Sequence, residues 1–476
     1  MKDIYIFENE VLELFRRISR IPRESGNEKA VSDRILAWAR EQGLQASQDE
    51  IGDLIICKPA APGYEEHAPV MLQAHLDMVC EKNAGSTHDF EKDPIELAYD
   101  GEWIRSADGT TLGADNGIGV AAAMVLLADK NLPAPALEVV FTVQEETTFA
   151  GAETVDISGL SASRMINLDH ANERELIVGS CGGTGVEFTL PIGREEEIPA
   201  GYQAARVRIS GLAGGHSGED IHRGRGNAIS LLLQLLESLD LPVVSISGGT
   251  NRLAIPREAE AVVLTPDGEG LRQRAADAKA ALTRVYAAAC PDLEIMIEEA
   301  EPAQPLQKAS FEKIAAAVRL YPNGIAQMNG SFDGLVESSD NIGIIQAEGD
   351  QLKLVSEVRG AYQITVDQIV QTIRTLAGLL GGTVSCFCGY LPWEFRAESR
   401  LRNLAAETYQ QMFGEPMKQL AVHAGLECGF FAEKRPGMDM ISIGPDCEYF
   451  HSPQERVRAE SVEHFYAFLR ELLGKL

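Results

Sequence analysis

The sequence predicts an α/β protein: a central mixed sheet flanked by helices, interrupted by an inserted α+β domain of two ferredoxin-like β-α-β-β-α-β halves. Three observations predict it. Apolar strand-like runs alternate with helical runs through residues 1–183, the pattern of a sheet covered on both faces. Between residues 184 and 391 the order changes to strand, helix, strand, strand, helix, strand, and residues 304–390 repeat it but for the first strand. After Pro392-Trp393 the first pattern returns, so residues 1–183 and 392–476 form one discontinuous domain and residues 184–391 an insert expected to act as a lid.

Each element follows from local pattern. Residues 8–20 have amphipathic spacing, and Ser25-Gly-Asn-Glu28 has the spacing of a capping box, opening a helix to about residue 42. Residues 53–57 and 69–74 are strand-like. Residues 117–127 are Ala-rich and helical, and 138–143 and 164–169 are the next strands. In the insert, strands are expected at 206–210, 243–247, 260–264 and 293–298, with helices at 227–239 and 270–289. The second half shows helices at 311–320 and 366–380 and strands at 334–346, 351–358 and 383–390, but no first strand. A helix at 396–412, a strand at 440–444 and a helix at 461–473 complete the chain.

The 476 residues suffice for two or three domains with sizeable cores. Hydrophobic residues make up 45% and charged residues 24%, as in soluble globular proteins. A net charge of −29 repels nucleic acid and anionic membranes, which excludes a nucleic-acid role. No apolar run is long enough to span a bilayer, and the N-terminus lacks the apolar core of a leader. Eight cysteines without a CxxC pair fit a reduced, cytoplasmic protein and give little support to thiolate-bound zinc.

Two adjacent carboxylates, Glu145 and Glu146, follow the apolar run Leu137-Glu-Val-Val-Phe-Thr-Val143. Neighbouring side chains on an extended chain point to opposite sides, so one acid can ligate a metal while the other carries a proton. A solvated acidic turn would look the same in isolation. Four further stretches change that balance. His75 and Asp77 in Ala74-His-Leu-Asp-Met78 face the same way on an extended chain, and a carboxylate can hold the second nitrogen of a ligating His. Asp115 in Gly113-Ala-Asp-Asn-Gly-Ile-Gly119 precedes the Ala-rich helix, either as an N-cap or as a carboxylate bridging two metals. Asp169 in Asn167-Leu-Asp-His170 ends a strand, and His451 lies in Phe450-His-Ser-Pro453. Two His and carboxylates from several strand ends suit a pair of cations, with zinc the first choice and cobalt or manganese as substitutes.

These five stretches resemble the metal-site motifs of the co-catalytic zinc peptidase family that includes carnosinase, aminoacylase and glutamate carboxypeptidase. Gly214-Gly-His-Ser-Gly218, Asn227-Ala228, Ala254-Ile-Pro-Arg-Glu258 and His423-Ala-Gly-Leu-Glu-Cys-Gly429 resemble its aminoacyl-histidine dipeptidase branch. The resemblance implies a zinc-peptidase-like catalytic domain with one zinc on His75 and Asp169, the other on Glu146 and His451, and Asp115 bridging. It implies Glu145 as general base, Asp77 as the residue that orients His75, and a cis peptide after Asp115. It further implies His216 as an oxyanion donor and Arg359 as the grip on a substrate carboxylate, with Asn341 as a pocket residue. Alone, His216 and Arg359 would read as surface residues. Relatives usually carry Asn three residues before the Pro of the Ile-Pro motif; here Leu253 stands there, with Asn251 two residues earlier.

The implied activity is metal-dependent hydrolysis of dipeptides, Xaa-His and broader. In relatives with a single lid unit the oxyanion His comes from a partner subunit. A doubled lid would let His216 and Arg359 act within one chain, and a homodimer stays open. The competing readings are an amidohydrolase acting on N-acyl amino acids through the same two metals, a metal-binding protein without turnover, and a structural protein without metal.

Overall fold

A computed structural model describes residues 9–476. Residues 1–8, which include the start of the first expected helix and most of the N-terminal segment expected to lack a leader, lie outside the described residues. The chain divides into two compact units. The first comprises the chain up to Gly179 with Phe395–Ala421 and Glu427–Leu476, and the second comprises Ser180–Glu394 with Val422–Leu426.

The first unit is built on a mixed eight-stranded sheet. Its strand order is Gln45–Gln48, Leu54–Lys58, Leu137–Thr142, Val70–His75, Arg164–Asn167, Asp439–Ser442, Glu175–Ser180, Lys418–Val422. The four strands from Leu137–Thr142 to Asp439–Ser442 are mutually parallel. Leu137–Thr142 and Val70–His75 are buried along their whole length, as a parallel strand between two layers must be. Helix Ala114–Ala128 is apolar all round and almost wholly buried, and it packs on strand Val70–His75 and helix Glu10–Ile18. Glu10–Ile18 starts where Asn9 accepts hydrogen bonds from the N–H groups of Val11 and Leu12, and its buried residues Val11, Leu12, Phe15 and Ile18 share one face. Residues 97–99, 103–106, 447–448 and 456–458 add a small antiparallel sheet that the sequence pattern did not reveal.

The expected capping box does not form. Helix Lys29–Glu41 has no side-chain cap. The Ser25 hydroxyl donates instead to Asp77 Oδ2 at 2.6 Å, and Glu28 Oε1 accepts from the N–H groups of Gly26 and Gln144. Both residues support the strand-end loops described below.

The second unit carries one nine-stranded antiparallel sheet with helices packed on it around a single large core. Along the path the order is Glu294–Glu299, Gln203–Ser210, Ala259–Thr265, Val243–Gly248, Val336–Glu348, Gln351–Gly360, Gly182–Pro191, Thr383–Tyr390, with Gly324–Met328 paired to Val336–Glu348 off the path. A strand that the expected repeat did not include, Gly182–Pro191, lies ahead of the first expected half. It pairs with both Gln351–Gly360 and Thr383–Tyr390. The first run of elements is inserted between this strand and the helix Lys308–Leu320.

Candidate metal centre

The parallel strands of the first unit deliver the predicted ligands to one edge. His75 is the last residue of its strand, Glu145 and Glu146 follow Leu137–Thr142, and Asp169 follows Arg164–Asn167. In open α/β sheets this carboxyl edge is where ligands bind. The sequence pattern put the two glutamates on an extended strand end, but the strand stops at Thr142. The chain turns at Gln144, whose φ is 56°, and the backbone N–H groups of Glu145 and Glu146 both point onto the Asp77 carboxylate, at 3.0 and 3.1 Å. Asp77 therefore fixes the segment that carries both acids. It also lies beside His75 Nδ1, with its carbonyl oxygen at 3.1 Å and its carboxylate at 3.4 Å, which turns Nε2 of the ring the other way.

The Asp115 carboxylate lies between two imidazole–carboxylate pairs. Its Oδ1 is 3.1 Å from His75 Nε2, which in turn is 3.4 Å from Asp169 Oδ1. Its Oδ2 is 3.4 Å from His451 Nε2, which is 2.9 Å from Glu146 Oε2. One oxygen thus faces each pair. Donor atoms of His75, Asp115 and Glu146 all lie within 4.8 Å of one another, a spacing that a metal ion can bridge. The Asp115–Asn116 peptide is cis, and the Asn116 amide donates to Asp169 Oδ1 at 2.6 Å and to the Leu168 carbonyl at 2.8 Å. His451 has a φ of 60° and the most open side chain of the group, 45% exposed. Among the described residues no side chain hydrogen-bonds to the Glu145 carboxylate.

The electrostatics of the cluster favour a cation. Burial, joined by the charge of Asp115, pushes Glu146 up to about 7 and Asp169 up to about 6. Burial also drives Glu145 well above the carboxylate range, reinforced by Glu146 and Asp169. Burial works against a charged His75, yet Asp169, Asp115 and Asp77 outweigh it and hold the ring well above its ordinary value. Acids outnumber bases in a desolvated place, and a divalent cation would reverse that imbalance. Imidazole and carboxylate donors without a thiolate fit a borderline or hard dication.

Two supports were not foreseen. Glu455, buried and distant in sequence, accepts from the N–H groups of Leu112, Gly113 and Ala114 at 2.6–2.9 Å and more weakly from Asp115. It supplies the anion at the start of helix Ala114–Ala128, so Asp115 does not serve as the cap and its side chain stays with the two histidines. Arg23, also buried, donates to the carbonyls of Leu76, Asp77 and Gly113, tying the His75 and Asp115 loops together. Glu455 lies four residues after His451, the one sequence feature that could have drawn notice to it.

The remaining predicted residues meet in the second unit. Glu219 N–H donates to His216 Nδ1 at 3.1 Å, which leaves the ring proton on Nε2. That nitrogen is 3.4 Å from Arg359 Nη2 in the same chain. Arg359 is buried, donates through Nη1 to Tyr390 Oη at 2.7 Å and lies 3.3 Å from Ser217 Oγ. Two donors side by side make a place for an anion. Asn341 uses its amide N–H groups on the carbonyls of Arg252 and Ala254, at 3.0 and 2.9 Å, so its amino group is spent on the loop that carries Leu253. Asn251 turns back within that loop and accepts from Leu253 N–H.

An α/β unit whose parallel strands converge imidazoles and carboxylates on one edge defines the class of metal-dependent hydrolases. A profile of peptidase family M20/M25/M40 matches residues 71–475, and the chain belongs to that family of metallopeptidases. It is 38% identical, over 98% of its length and 97% of the relative's, to the cytosol non-specific dipeptidase of Escherichia coli (strain K12). The crystal structure of aminoacylhistidine dipeptidase from Vibrio alginolyticus superposes with a TM-score of 0.86 at 36% identity, covering 98% of this chain and 96% of that one. A tripeptidase from Staphylococcus aureus subsp. aureus mu50 shares the fold, with a TM-score of 0.60 at 15% identity over 98% and 99% of the two chains. These matches bear out the resemblance read from the motifs. No helix of the described residues is long and apolar enough to cross a membrane.

Proposed function

We propose that this chain hydrolyses dipeptides, Xaa-His among them, with two divalent cations held by His75 and Asp169, by Glu146 and His451, and jointly by Asp115. The observation that carries the proposal is the division of the Asp115 carboxylate between two imidazole–carboxylate pairs, beside a Glu145 carboxylate that no side chain among the described residues engages. Zinc suits the donor set first, with cobalt or manganese as substitutes. The chemistry such a pair supplies when bound is Lewis acidity and a water of lowered pKa.

The chain's own residues account for the rest. Glu145 takes the proton of the attacking water and delivers it to the leaving amine. Asp77 holds both the His75 ring and the backbone of Glu145, so base and ligand keep one register. His216 donates its Nε2 proton to the developing oxyanion. Arg359 pairs with the substrate's terminal carboxylate, which selects for a residue one place beyond the scissile bond. The substrate class is supported by the names of the two full-length relatives, and that of the Escherichia coli protein also supports a cytosolic location. We read the second unit as two nested ferredoxin-like halves, since each group of four strands has the order 4-1-3-2 when Gly182–Pro191 is counted with the second.

The test is a panel of dipeptides and N-acetyl amino acids assayed in parallel, with protein stripped by chelator and then supplied with zinc. Dipeptides should be cleaved only after zinc is restored. Faster turnover of N-acetyl amino acids would assign the site to amidohydrolysis instead.

A further inference from the structure

Glu357 and Arg359 alternate on strand Gln351–Gly360 and share one face. Glu357 is fully buried there and is the natural ion partner for the guanidinium, a pairing that would remove the anion site. The pairing is not made. Arg252 Nε holds Glu357 Oε2 at 2.7 Å, and the Tyr390 hydroxyl donates to Oε1 at 3.0 Å. Tyr390 in turn accepts from Arg359 Nη1. Both oxygens of the buried acid are thereby occupied, and Arg359 meets a neutral phenol. Among the described residues no carboxylate forms an ion pair with Arg359.

The neighbouring strand is shaped for this. Tyr390 pairs with Gly183 and Phe387 with Gly185. A Cβ on Gly183 would stand 2.5 Å from the Tyr390 hydroxyl, and one on Gly185 would stand 2.8 Å from the Phe387 ring and 3.0 Å from Arg252 Nε. Only bare backbone lets the two rings cross the strand. Arg252 lies over Phe387 with its guanidinium carbon 5.4 Å from the ring centre, and the Asn341 amide fixes the Arg252 carbonyl.

We infer that Arg252, Glu357 and Tyr390 are positioning residues that hold Arg359 in place yet free of any acid partner, so that its charge stays available to the carboxylate of a dipeptide. The inference rests on the proposed role of Arg359. Arg252 is the neutralising element. Without it, the uncompensated Glu357 turns to Arg359 and competes with the substrate.

The experiment compares alanyl-histidine with alanyl-histidinamide on zinc-loaded protein. Arg359→Met should raise KM for the free dipeptide at least about tenfold, the size of one hydrogen bond to a charged group, and barely change it for the amide. Equal effects on both substrates would sink the role of Arg359 and this inference with it. Given that result, Arg252→Met should raise KM for the dipeptide alone, again about tenfold. Adding Glu357→Gln to Arg252→Met should restore most of the loss, because the competing charge is gone. Tyr390→Phe should weaken dipeptide binding in the same selective way, and Arg252→Lys, which keeps the ion pair, should resemble the unaltered protein. If Arg252→Met affects both substrates alike, or the double variant is no better than the single one, the three residues are merely structural and the inference fails while the role of Arg359 stands.

Discussion

The clusters around Asp115 and around Arg359 are both buried, and their charges are unbalanced in opposite directions. In the first, Asp115, Glu145, Glu146 and Asp169 crowd two imidazoles; burial acts upward on all four acids, and only at Asp115 do the two histidines outweigh it. In the second, two guanidiniums stand near one glutamate, which pairs with Arg252, and among the described residues no carboxylate forms an ion pair with the deeper Arg359. A protein interior tolerates a net charge where a ligand of opposite sign completes it. On the proposed function, the first imbalance suits cations and the second an anion. We propose that this pairing separates a peptidase that needs a free carboxylate from a general amidase.

The strongest way to break the comparison is at Glu145, the acid left out of the ligand geometry. Glu145→Gln should lower kcat for dipeptides by about 10²–10⁴-fold, the usual contribution of a positioned general base. Bound metal, measured by elemental analysis, should not change. Loss of metal along with turnover would make Glu145 a ligand and remove the distinction between ligating and proton-carrying acids. Asp115→Asn comes next. If one carboxylate serves both cation positions, this single change should deplete both, whereas Asp169→Asn should chiefly affect one. Equal depletion by the two variants would argue against a shared ligand.

The strand-end members of the proposed site were legible in the sequence because a strand end is a local feature. Apolar runs ending in His75, Glu145–Glu146 and Asp169 announce themselves, and the repeated appearance of such ends makes the pattern specific. Of what holds those ends, only Asp77 beside His75 was legible. Glu455 reaches helix Ala114–Ala128 from more than three hundred residues away, and nothing local marks it as a cap. Ser25 and Glu28 had the spacing of a capping box, but each found a better partner in the strand-end loops, so tertiary demand overrode the local motif. The nested order proposed for the second unit was hidden for a related reason. Strand Gly182–Pro191 is separated from its partners by an entire run of inserted elements, and a scan for tandem repeats looks for it in the wrong place. Asn341 was legible as a polar residue near the pocket motifs, but its actual partners, two backbone carbonyls, depend on how the Arg252 loop folds.

The support at Glu455 offers a gentler perturbation. Removing its carboxylate strands several buried N–H groups, so Glu455→Ala should destabilise the fold by about 3 kcal/mol. The loss should be visible in urea unfolding, and metal affinity should weaken as the Asp115 loop loosens. Glu455→Gln keeps an acceptor and should lie between. Unchanged metal affinity in a destabilised Glu455→Ala would show that the clamp serves the helix and not the centre.

The smallest effect sharpens the comparison by supplying a control, a buried acid that belongs to neither cluster. Asp53 accepts from Val143 N–H through Oδ1 at 2.9 Å, while its Oδ2 is buried with no hydrogen-bond partner among the described residues. Burial, with Asp49 nearby, pushes its carboxyl up to about 8, from 3.8 in an unfolded chain. The folded state therefore holds a proton that the unfolded state releases, and the stability it brings is complete below pH 3.8 and is lost as pH rises toward about 8. Asp53→Asn keeps the acceptor and carries no charge. Its melting temperature should fall less than that of the unaltered protein between pH 5 and 8 (a range of about three units chosen inside that window). Because Asp53 is no ligand, the difference between the two proteins should be the same with zinc or with chelator. A difference that vanished on adding zinc would mean that the metal's influence extends beyond the carboxylates placed around Asp115, and the boundary drawn between acids that await a cation and acids that simply hold a proton would have to move.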